Sequence, residues 1–519
     1  MLRLSAFLLA LLAPTLAAQS ALDTLRTRAE RSDYRQTSTY ADVRAFLATL
    51  DAHADDLHLT TFGETAEGRA LPLAVIGAEA ATPQAVRSTG KARVLVVANI
   101  HAGEVAGKEA ALALLREWAG GEHRNWTDGL TLLVAPIYNA DGNERVDPGN
   151  RPYQHGPVEG MGQRSNAQGL DLNRDLMKLD APETRALVTL MQAYDPDLVL
   201  DLHTTNGTAH AYHLTYAPPL HPATPRATDA FLRERLLPAV TDTLATQGVL
   251  TWHYGNRPGV WGEPVGDRHG WYSFSPEPRF LTNYVGLRGR AAVLAEAYSY
   301  LPFGRRVRAM QQFVSAVLDA AARHADDLQA LSRRADAQRI SRATVPVQAA
   351  FGPGEQHPIL MGAVTEEPNP VTGEPMRLRD DTVVEPTPMP AFVRFEGTLG
   401  VKAPAAYLVP ADQAAVIERL RLHGIPVETA QTDASGARTL VLDTVEAMAE
   451  YQNRRPLQIE TGDEIPFVPV GDVVRVSTGG PLGRLAVLLL DPRSSDGFAA
   501  WGVVDGLASG QAYPIGMVP

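Results

Sequence analysis

An almost unbroken run of apolar residues at positions 93–100 constrains the fold more than any other feature of the sequence. A continuous apolar run of strand length predicts a strand buried on both faces, which is typical of parallel sheets covered by helices. From residue 38 to about residue 335, strand and helix patterns alternate around this run. The sequence therefore predicts an α/β fold, with a mixed, mostly parallel sheet flanked by helices.

Hydrophobic spacing predicts the remaining elements of this α/β region. Helical spacing of apolar residues predicts helices at 40–54 and 182–194, and one or two long amphipathic helices at 305–334. Apolar runs predict strands at 70–76, 130–137, 198–202 and 290–298. Composition predicts a turn at 139–142 and a long functional loop at 144–170, where glycine, proline and asparagine are frequent.

A change of character after about residue 339 predicts a second domain. The sequence becomes proline-rich there, and short apolar runs at 391–395, 405–409 and 484–490 surround a single predicted helix at 412–423. We expect a smaller β-rich C-terminal domain over residues 340–519, following an α/β domain over residues 19–335.

The N-terminal segment has the layout of a secretory signal peptide. One arginine precedes a short apolar run that ends in small residues, which predicts a leader over residues 1–18. Every later apolar stretch is shorter than the roughly 20 residues that a membrane-spanning helix requires. We therefore expect a secreted or periplasmic protein with no membrane span after signal removal.

Composition excludes several kinds of chemistry. The chain has no cysteine, which rules out disulfides, thiolate zinc ligands and cysteine nucleophiles. The formal net charge of -12 and the lack of a long basic run argue against a nucleic-acid partner, because phosphate binding depends on clustered lysine and arginine. Any metal site in this chain must therefore use histidine and carboxylate ligands.

Two predicted strands carry such ligands at their carboxyl ends. His101 and Glu104 follow the first strand, and His203 follows the strand at 198–202. A His-x-x-Glu pair alone is expected about once by chance in a chain with 14 histidines. The carboxyl ends of parallel strands meet at one edge of a sheet, however, so the three side chains can approach one another. Hydrolytic zinc sites commonly use three nitrogen or oxygen ligands, and the sequence predicts one zinc ion here.

Several motifs in order resemble the zinc carboxypeptidase family, the carboxypeptidase A-like metallopeptidases. His101-x-x-Glu104, after an apolar strand, matches the first two zinc ligands of the family, and His203 in Asp-Leu-His matches the third. The resemblance covers roughly residues 38–300 and implies the α/β fold of that family.

The resemblance also implies which residues act on the substrate. Asn173 and Arg174 match the pair that binds the terminal carboxylate of the substrate, and Arg164 has the spacing of the arginine that polarises the scissile carbonyl. Glu296, in the apolar run at 290–298, matches the catalytic glutamate, a general base toward a metal-activated water. Together these matches imply a zinc metallocarboxypeptidase whose substrate is a peptide with a free C-terminal carboxylate, and the predicted leader implies that it is secreted.

Two alternatives keep the same zinc site. Members of the family also cut amide bonds in cell-wall peptides, and the long loop at 144–170 could accommodate a branched substrate. A catalytically silent zinc-binding or adhesion module is the other alternative, suggested by the β-rich C-terminal region. The family also supplies a mobile tyrosine, for which Tyr272 and Tyr284 are both candidates, and Arg288 is a candidate for favouring acidic substrates.

Overall fold

The structure, a computed structural model, describes residues 21–259, 269–429 and 436–519. The predicted leader at 1–18 lies outside the described residues. Within these three described ranges, no helix is both long enough and apolar enough to cross a membrane.

The described part of the α/β region is built on an eight-stranded sheet with the order β1-β2-β4-β3-β5-β9-β6-β7. Its strands are β1 (Leu57–Glu64), β2 (Ala70–Ile76), β3 (Ala92–Ala98), β4 (Leu130–Ala135), β5 (Leu198–Thr205), β6 (Leu214–Ala217), β7 (Thr251–His253) and β9 (Ala291–Tyr298). The four central strands, β4, β3, β5 and β9, run parallel, whereas the pairs β1–β2, β2–β4 and β6–β9 are antiparallel. The predicted mixed, mostly parallel sheet is confirmed.

Helices pack against this sheet and bury its apolar strands. Their bounds are Arg28–Arg31, Tyr40–His53, Pro83–Ser88, Ala106–Ala119, Trp126–Gly129, Ala140–Glu144, Pro182–Tyr194, Arg226–Phe231, Leu237–Thr246, Leu281–Leu287, Phe303–Arg323 and Ala325–Ala337. A π-helical turn at Leu232–Leu236 and short 3-10 helices at Pro148–Asn150 and Leu172–Arg174 complete the region. All side chains of β4 and β5 are buried, as expected for strands covered on both faces.

The C-terminal region is β-rich, as predicted. Its strands are β10 (Thr344–Phe351), β11 (Glu355–Pro368), β12 (Pro375–Phe392), β13 (Phe395–Lys402), β14 (Ala406–Pro410), β15 (Glu428–Thr429), β16 (Arg438–Ala447), β17 (Leu457–Pro466), β18 (Val473–Ser477) and β19 (Gly516–Val518). From the α/β region, β8 (Trp271–Tyr272) pairs in parallel with β12, so the two regions share a sheet. Two helices, Ala414–Leu422 and Gly483–Leu490, accompany these strands.

Three local predictions need correction. The turn expected at 139–142 is the start of the helix Ala140–Glu144, because the Asn139 side chain caps it by accepting the N–H of Gly142 at 3.0 Å. The apolar run at 484–490, counted with the β pattern, forms a fully buried helix; an unbroken apolar run cannot distinguish a buried helix from a buried strand. Finally, β5 continues to Thr205, so His203 lies inside the strand and not after its end.

Candidate active site

The three predicted zinc ligands lie side by side at the carboxyl edge of the central sheet. His101 follows β3, Glu104 precedes the helix Ala106–Ala119, and His203 lies near the end of β5. Nδ1 of His101 is 3.0 Å from Oε1 of Glu104, and Nδ1 of His203 is 2.8 Å from Oε2 of the same carboxylate. One ligand atom from each residue lies within 4.8 Å of the others, which suits a single metal ion.

The distal nitrogens of both imidazoles have partners of their own. Nε2 of His101 is 2.9 Å from Oδ1 of Asp171, and Nδ2 of Asn173 is 3.3 Å from Nε2 of His203. These contacts hold both rings with Nδ1 directed at the shared carboxylate. Zinc-binding histidines characteristically have such outer partners, which fix the orientation of the ring. The donor set and its support therefore fit zinc.

Charges around the ligands keep Glu104 ionised. Burial alone would raise the pKa of Glu104, but the guanidinium of Arg151 and the imidazole of His101 hold that pKa well below its usual range. Burial alone would lower the pKa of His203, but the carboxylates of Asp201 and Glu104 raise it well above its usual value. A carboxylate must be deprotonated to bind a metal, and Glu104 meets that requirement at neutral pH.

Glu296 stands next to this cluster with one oxygen that lacks a partner. It lies on β9 opposite His203 in the parallel register with β5. Its Oε2 is buried and has no hydrogen-bond partner among the described residues. Burial raises the pKa of Glu296 to about 8, although His203 opposes this shift. Burying a polar group without a partner costs free energy, so a retained unpaired carboxylate beside the zinc ligands indicates a chemical task.

Asn173 and Arg174 form a polar pair on the same side of the site. The side-chain oxygen of Asn173 accepts the backbone N–H of Leu281 at 2.8 Å. The guanidinium of Arg174 lies 4.0 Å from the centre of the Phe280 ring and donates to the carbonyl of Asn173 at 2.9 Å. Its nearest carboxylate oxygen, on Asp171, is 4.0 Å away. The guanidinium is thus held in place while it keeps donors for a bound anion.

Two further arginines approach Glu104. Arg164, whose side chain is 42% exposed, lies 2.8 Å from Oδ2 of Asp171 and 3.6 Å from Oε1 of Glu104. Arg151 was not predicted, yet its guanidinium contacts Oε1 of Glu104 directly. A Cβ at Gly103 would come within 2.9 Å of Nε of Arg151, so the glycine makes room for this side chain. No motif marks Arg151, because it comes from the irregular loop at 144–170.

All seven predicted site residues line one cavity of about 560 Å³. Its Arg, Lys, Asp and Glu lining within the described residues consists of four arginines and two glutamates: Arg151, Arg164, Arg174, Arg257, Glu104 and Glu296. Aromatic and aliphatic side chains form much of the remaining wall: Tyr254, Tyr272, Phe274, Phe280 and Leu294. The arrangement combines a metal site, an unpaired carboxylate and an excess of cationic groups in one partly apolar cleft, which is the usual make-up of a substrate site.

The two candidates for the mobile tyrosine lie in different parts of the structure. Tyr272 lines the cavity, whereas Tyr284 is buried elsewhere with its hydroxyl 2.7 Å from Nδ1 of His423. Tyr254, which was not predicted, also lines the cavity. Arg288 lies beside Tyr284, where it donates to the carbonyl of His423 at 3.0 Å. Because Arg288 is absent from the described wall of the cavity, its suggested role in selecting acidic substrates loses its basis.

A buried site of two histidines and one glutamate, at the carboxyl edge of an α/β sheet, defines a zinc-dependent hydrolase. The family described as zinc carboxypeptidase matches residues 43–230. Carboxypeptidase 2 of Trichophyton tonsurans is 23% identical over 491 residues, which cover 86% of this chain and 80% of that protein. Carboxypeptidase E of Caenorhabditis elegans is 29% identical over 179 residues, covering 33% of this chain and 36% of that protein.

Over residues 43–230 the chain matches the zinc carboxypeptidase family, and its matched relatives are named carboxypeptidases, which supports a zinc-dependent metallocarboxypeptidase. The resemblance inferred from the motifs is thereby confirmed. Among solved structures, a metallo-carboxypeptidase from Burkholderia cenocepacia is similar, with a TM-score of 0.40 and 18% identity over 54% of this chain and 69% of that one.

Proposed function

We propose that the protein is a secreted or periplasmic carboxypeptidase that removes C-terminal residues from peptides, with Glu296 as general base. The observation that carries this proposal is the unpaired Oε2 of Glu296, which lies in the same cavity as the three zinc ligands. The predicted leader at 1–18 supports export. In this proposal the catalytic domain spans residues 19–335, and residues 340–519 form the C-terminal domain.

Zinc, held by His101, Glu104 and His203, would supply a Lewis acid that polarises a carbonyl group and acidifies water. The chain itself supplies the proton transfers. Glu296 accepts a proton from the attacking water at its free oxygen and returns that proton to the leaving amine, so the carboxylate is regenerated after each turnover. Arg164 donates to the substrate carbonyl oxygen, where negative charge develops as the water adds.

Recognition of the substrate end falls to Asn173 and Arg174. A planar guanidinium can donate two parallel hydrogen bonds to a carboxylate, which a lysine cannot do. The Phe280 ring beneath Arg174 fixes the plane of that guanidinium. The excess of arginines over carboxylates in the described lining of the cleft supports an anionic substrate end.

A pair of matched peptides tests this proposal. One peptide has a free C-terminal carboxylate, the other has the same sequence with a C-terminal amide, and release of the last residue is followed by mass spectrometry. We expect preferred cleavage of the free-carboxylate peptide, abolished by a zinc chelator, and a fall in its kcat/KM of about 10²-fold in Arg174→Ala. Arg333→Ala, an exposed arginine on the helix Ala325–Ala337, is the control. Equal cleavage of both peptides by the wild-type protein would refute the carboxylate-binding role.

A further inference from the structure

We propose that the C-terminal domain is part of the substrate-binding site, and that Gln452 and Asp496 are positioning residues for the carboxylate-binding pair Asn173 and Arg174. We call this pair the clamp. The inference rests on the proposed function, because it requires that the clamp bind the substrate carboxylate. It assigns a role in substrate recognition to a region that carries none of the zinc ligands.

The first support of the clamp comes from Gln452. Its side-chain oxygen accepts the backbone N–H of Asp171 at 2.8 Å. Asp171 is the hub of this part of the site: its Oδ1 accepts the backbone N–H of Asn173 at 2.9 Å and lies 2.9 Å from Nε2 of His101. Its Oδ2 lies 2.8 Å from Nη2 of Arg164. Gln452 thus holds the backbone of the residue that connects a zinc ligand, the clamp and Arg164.

The turn that presents Gln452 is itself held against the catalytic domain. Gln452 and Asn453 both have left-handed backbone conformations, with φ of 54° and 57°. Such conformations are unfavourable for residues other than glycine and persist where surrounding contacts impose them. Here Asn453 donates to the carbonyl of Gln168 at 3.2 Å, and Arg454 donates to both oxygens of Asp180 at 2.6 and 2.7 Å. The two residues that follow Gln452 therefore contact both ends of the segment 168–180, which contains the clamp.

The second support comes from Asp496, a fully buried residue. Its Oδ2 accepts the backbone N–H of Arg279 at 2.7 Å, and its Oδ1 accepts the indole N–H of Trp501 at 2.7 Å. Arg279 immediately precedes Phe280, whose ring lies under the Arg174 guanidinium. The next residue, Leu281, donates the N–H that orients Asn173. Asp496 thus fixes the segment against which both clamp side chains rest.

Both supports end on backbone N–H groups within two residues of the clamp or of its direct contacts. Removing them is expected to displace the clamp slightly. A displaced clamp weakens binding of the carboxylate that it recognises, so the free-carboxylate peptide should lose more than its amide. Loss of ordinary packing between domains would instead lower the folded fraction and reduce activity on every substrate alike.

The test compares Gln452→Met, which keeps the side-chain length but removes the acceptor, with Gln452→Glu, which keeps an acceptor oxygen. Gln458→Met, an exposed glutamine on β17, receives the same substitution as a control. The readout is the ratio of kcat/KM for the free-carboxylate peptide to that for its amide, together with the thermal unfolding midpoint. We expect Gln452→Met to lower this ratio about tenfold, mainly through KM, with Gln452→Glu and Gln458→Met within about twofold of wild type.

Asp496→Asn provides an independent variant, which is also expected to lower the ratio. The proposal is overturned if the ratio stays at the wild-type value in both Gln452→Met and Asp496→Asn. It is equally overturned if both peptides lose the same factor in step with a lower unfolding midpoint. Arg174→Ala in the same assay separates the proposed function from this inference. An unchanged ratio in Arg174→Ala refutes carboxylate binding by the clamp. A lowered ratio in Arg174→Ala, with an unchanged ratio in both Gln452→Met and Asp496→Asn, refutes only the positioning role of Gln452 and Asp496.

Discussion

Two partly buried carboxyl groups have opposite surroundings: Glu296 lies at the zinc site, and Asp180 lies where the α/β and C-terminal regions meet. Asp180 lies 2.9 Å from Arg419 and 2.6 Å from Arg454, both in the C-terminal region, and 3.5 Å from Lys178. Burial alone would raise the pKa of Asp180, but Arg454 and Lys178 lower it to about 2. Glu296 has an unpaired oxygen, and burial raises its pKa to about 8. The contact between the two regions pairs Asp180 with cations, whereas the cleft leaves one carboxyl oxygen of Glu296 without a partner.

Two of the cavities show the same contrast. A cavity of about 680 Å³, larger than the zinc-site cavity, is lined by residues of both the α/β and the C-terminal regions near the start of β5. Its Arg290 is 2.8 Å from both Asp195 and Asp336, so this guanidinium is already neutralised. Size alone would select the wrong cavity. An unpaired carboxyl oxygen beside converging metal ligands selects the zinc site.

The largest expected effect is at the unpaired carboxylate. Glu296→Gln removes the proton acceptor but keeps the size of the side chain, so we expect kcat to fall about 10³-fold, with zinc content and the unfolding midpoint unchanged. Steady-state hydrolysis and metal analysis measure both. Glu117→Gln, a partly buried glutamate paired with Gln311, is the matched control and should retain wild-type kcat. Activity of Glu296→Gln near the wild-type level would mean that another group is the base.

The next largest effect is expected at Asp180, the carboxylate that is paired with cations. Asp180→Ala leaves Arg419, Arg454 and Lys178 without their shared carboxylate, so the free energy of unfolding should fall by about 3 kcal/mol. Denaturant unfolding measures this change, with the exposed Asp128→Ala as control. A loss no greater than that of the control would show that the cluster contributes nothing net to stability.

Acid should remove the stabilisation that Asp180 provides. Its pKa is lowered from 3.8 to about 2 in the folded protein, so the unfolded chain binds the proton first as the pH falls. The contribution is therefore complete above the unfolded pKa and decreases as the pH falls toward the folded one. The difference in unfolding free energy between wild type and Asp180→Asn should shrink as the pH falls from roughly 5 to about 2. A difference independent of pH would contradict the lowered pKa.

The smallest expected effect is a gain in stability, opposite in sign to the loss expected for Asp180→Ala. Burial, and then the neighbouring Asp496, raise the pKa of Glu277 from 4.5 to about 7. The folded protein keeps this proton after the unfolded chain has released it, so this group lowers stability as the pH rises from 4.5 to about 7. Glu277→Gln should therefore gain stability relative to wild type above that window. The gain should be modest, since the Glu277 side chain is 25% exposed. A gain confined to acid pH would reverse the sign and contradict the account.

Local pattern was sufficient to predict the metal site and the sheet that presents it. The apolar run of β3 places His101, and a lone glutamate in the apolar β9 is conspicuous because a buried acid needs a reason. Arg151 could not be predicted in the same way, because its loop has no periodicity and its partner Glu104 is distant in sequence. The contacts of Gln452 and Asp496 could not be predicted from the sequence either, since they arise only when two separately patterned regions meet. Such long-range contacts leave no local period in a sequence.

The most direct test of the account is zinc reconstitution. The protein is stripped with a chelator, zinc is returned in measured equivalents, and hydrolysis of the free-carboxylate peptide is followed in wild type and in His203→Ala. The account predicts that stripped wild type is inactive, that its activity rises linearly and levels off at one zinc per chain, and that His203→Ala stays inactive at the same zinc concentrations. Full activity after stripping, or recovery of His203→Ala with the wild-type stoichiometry, would contradict it.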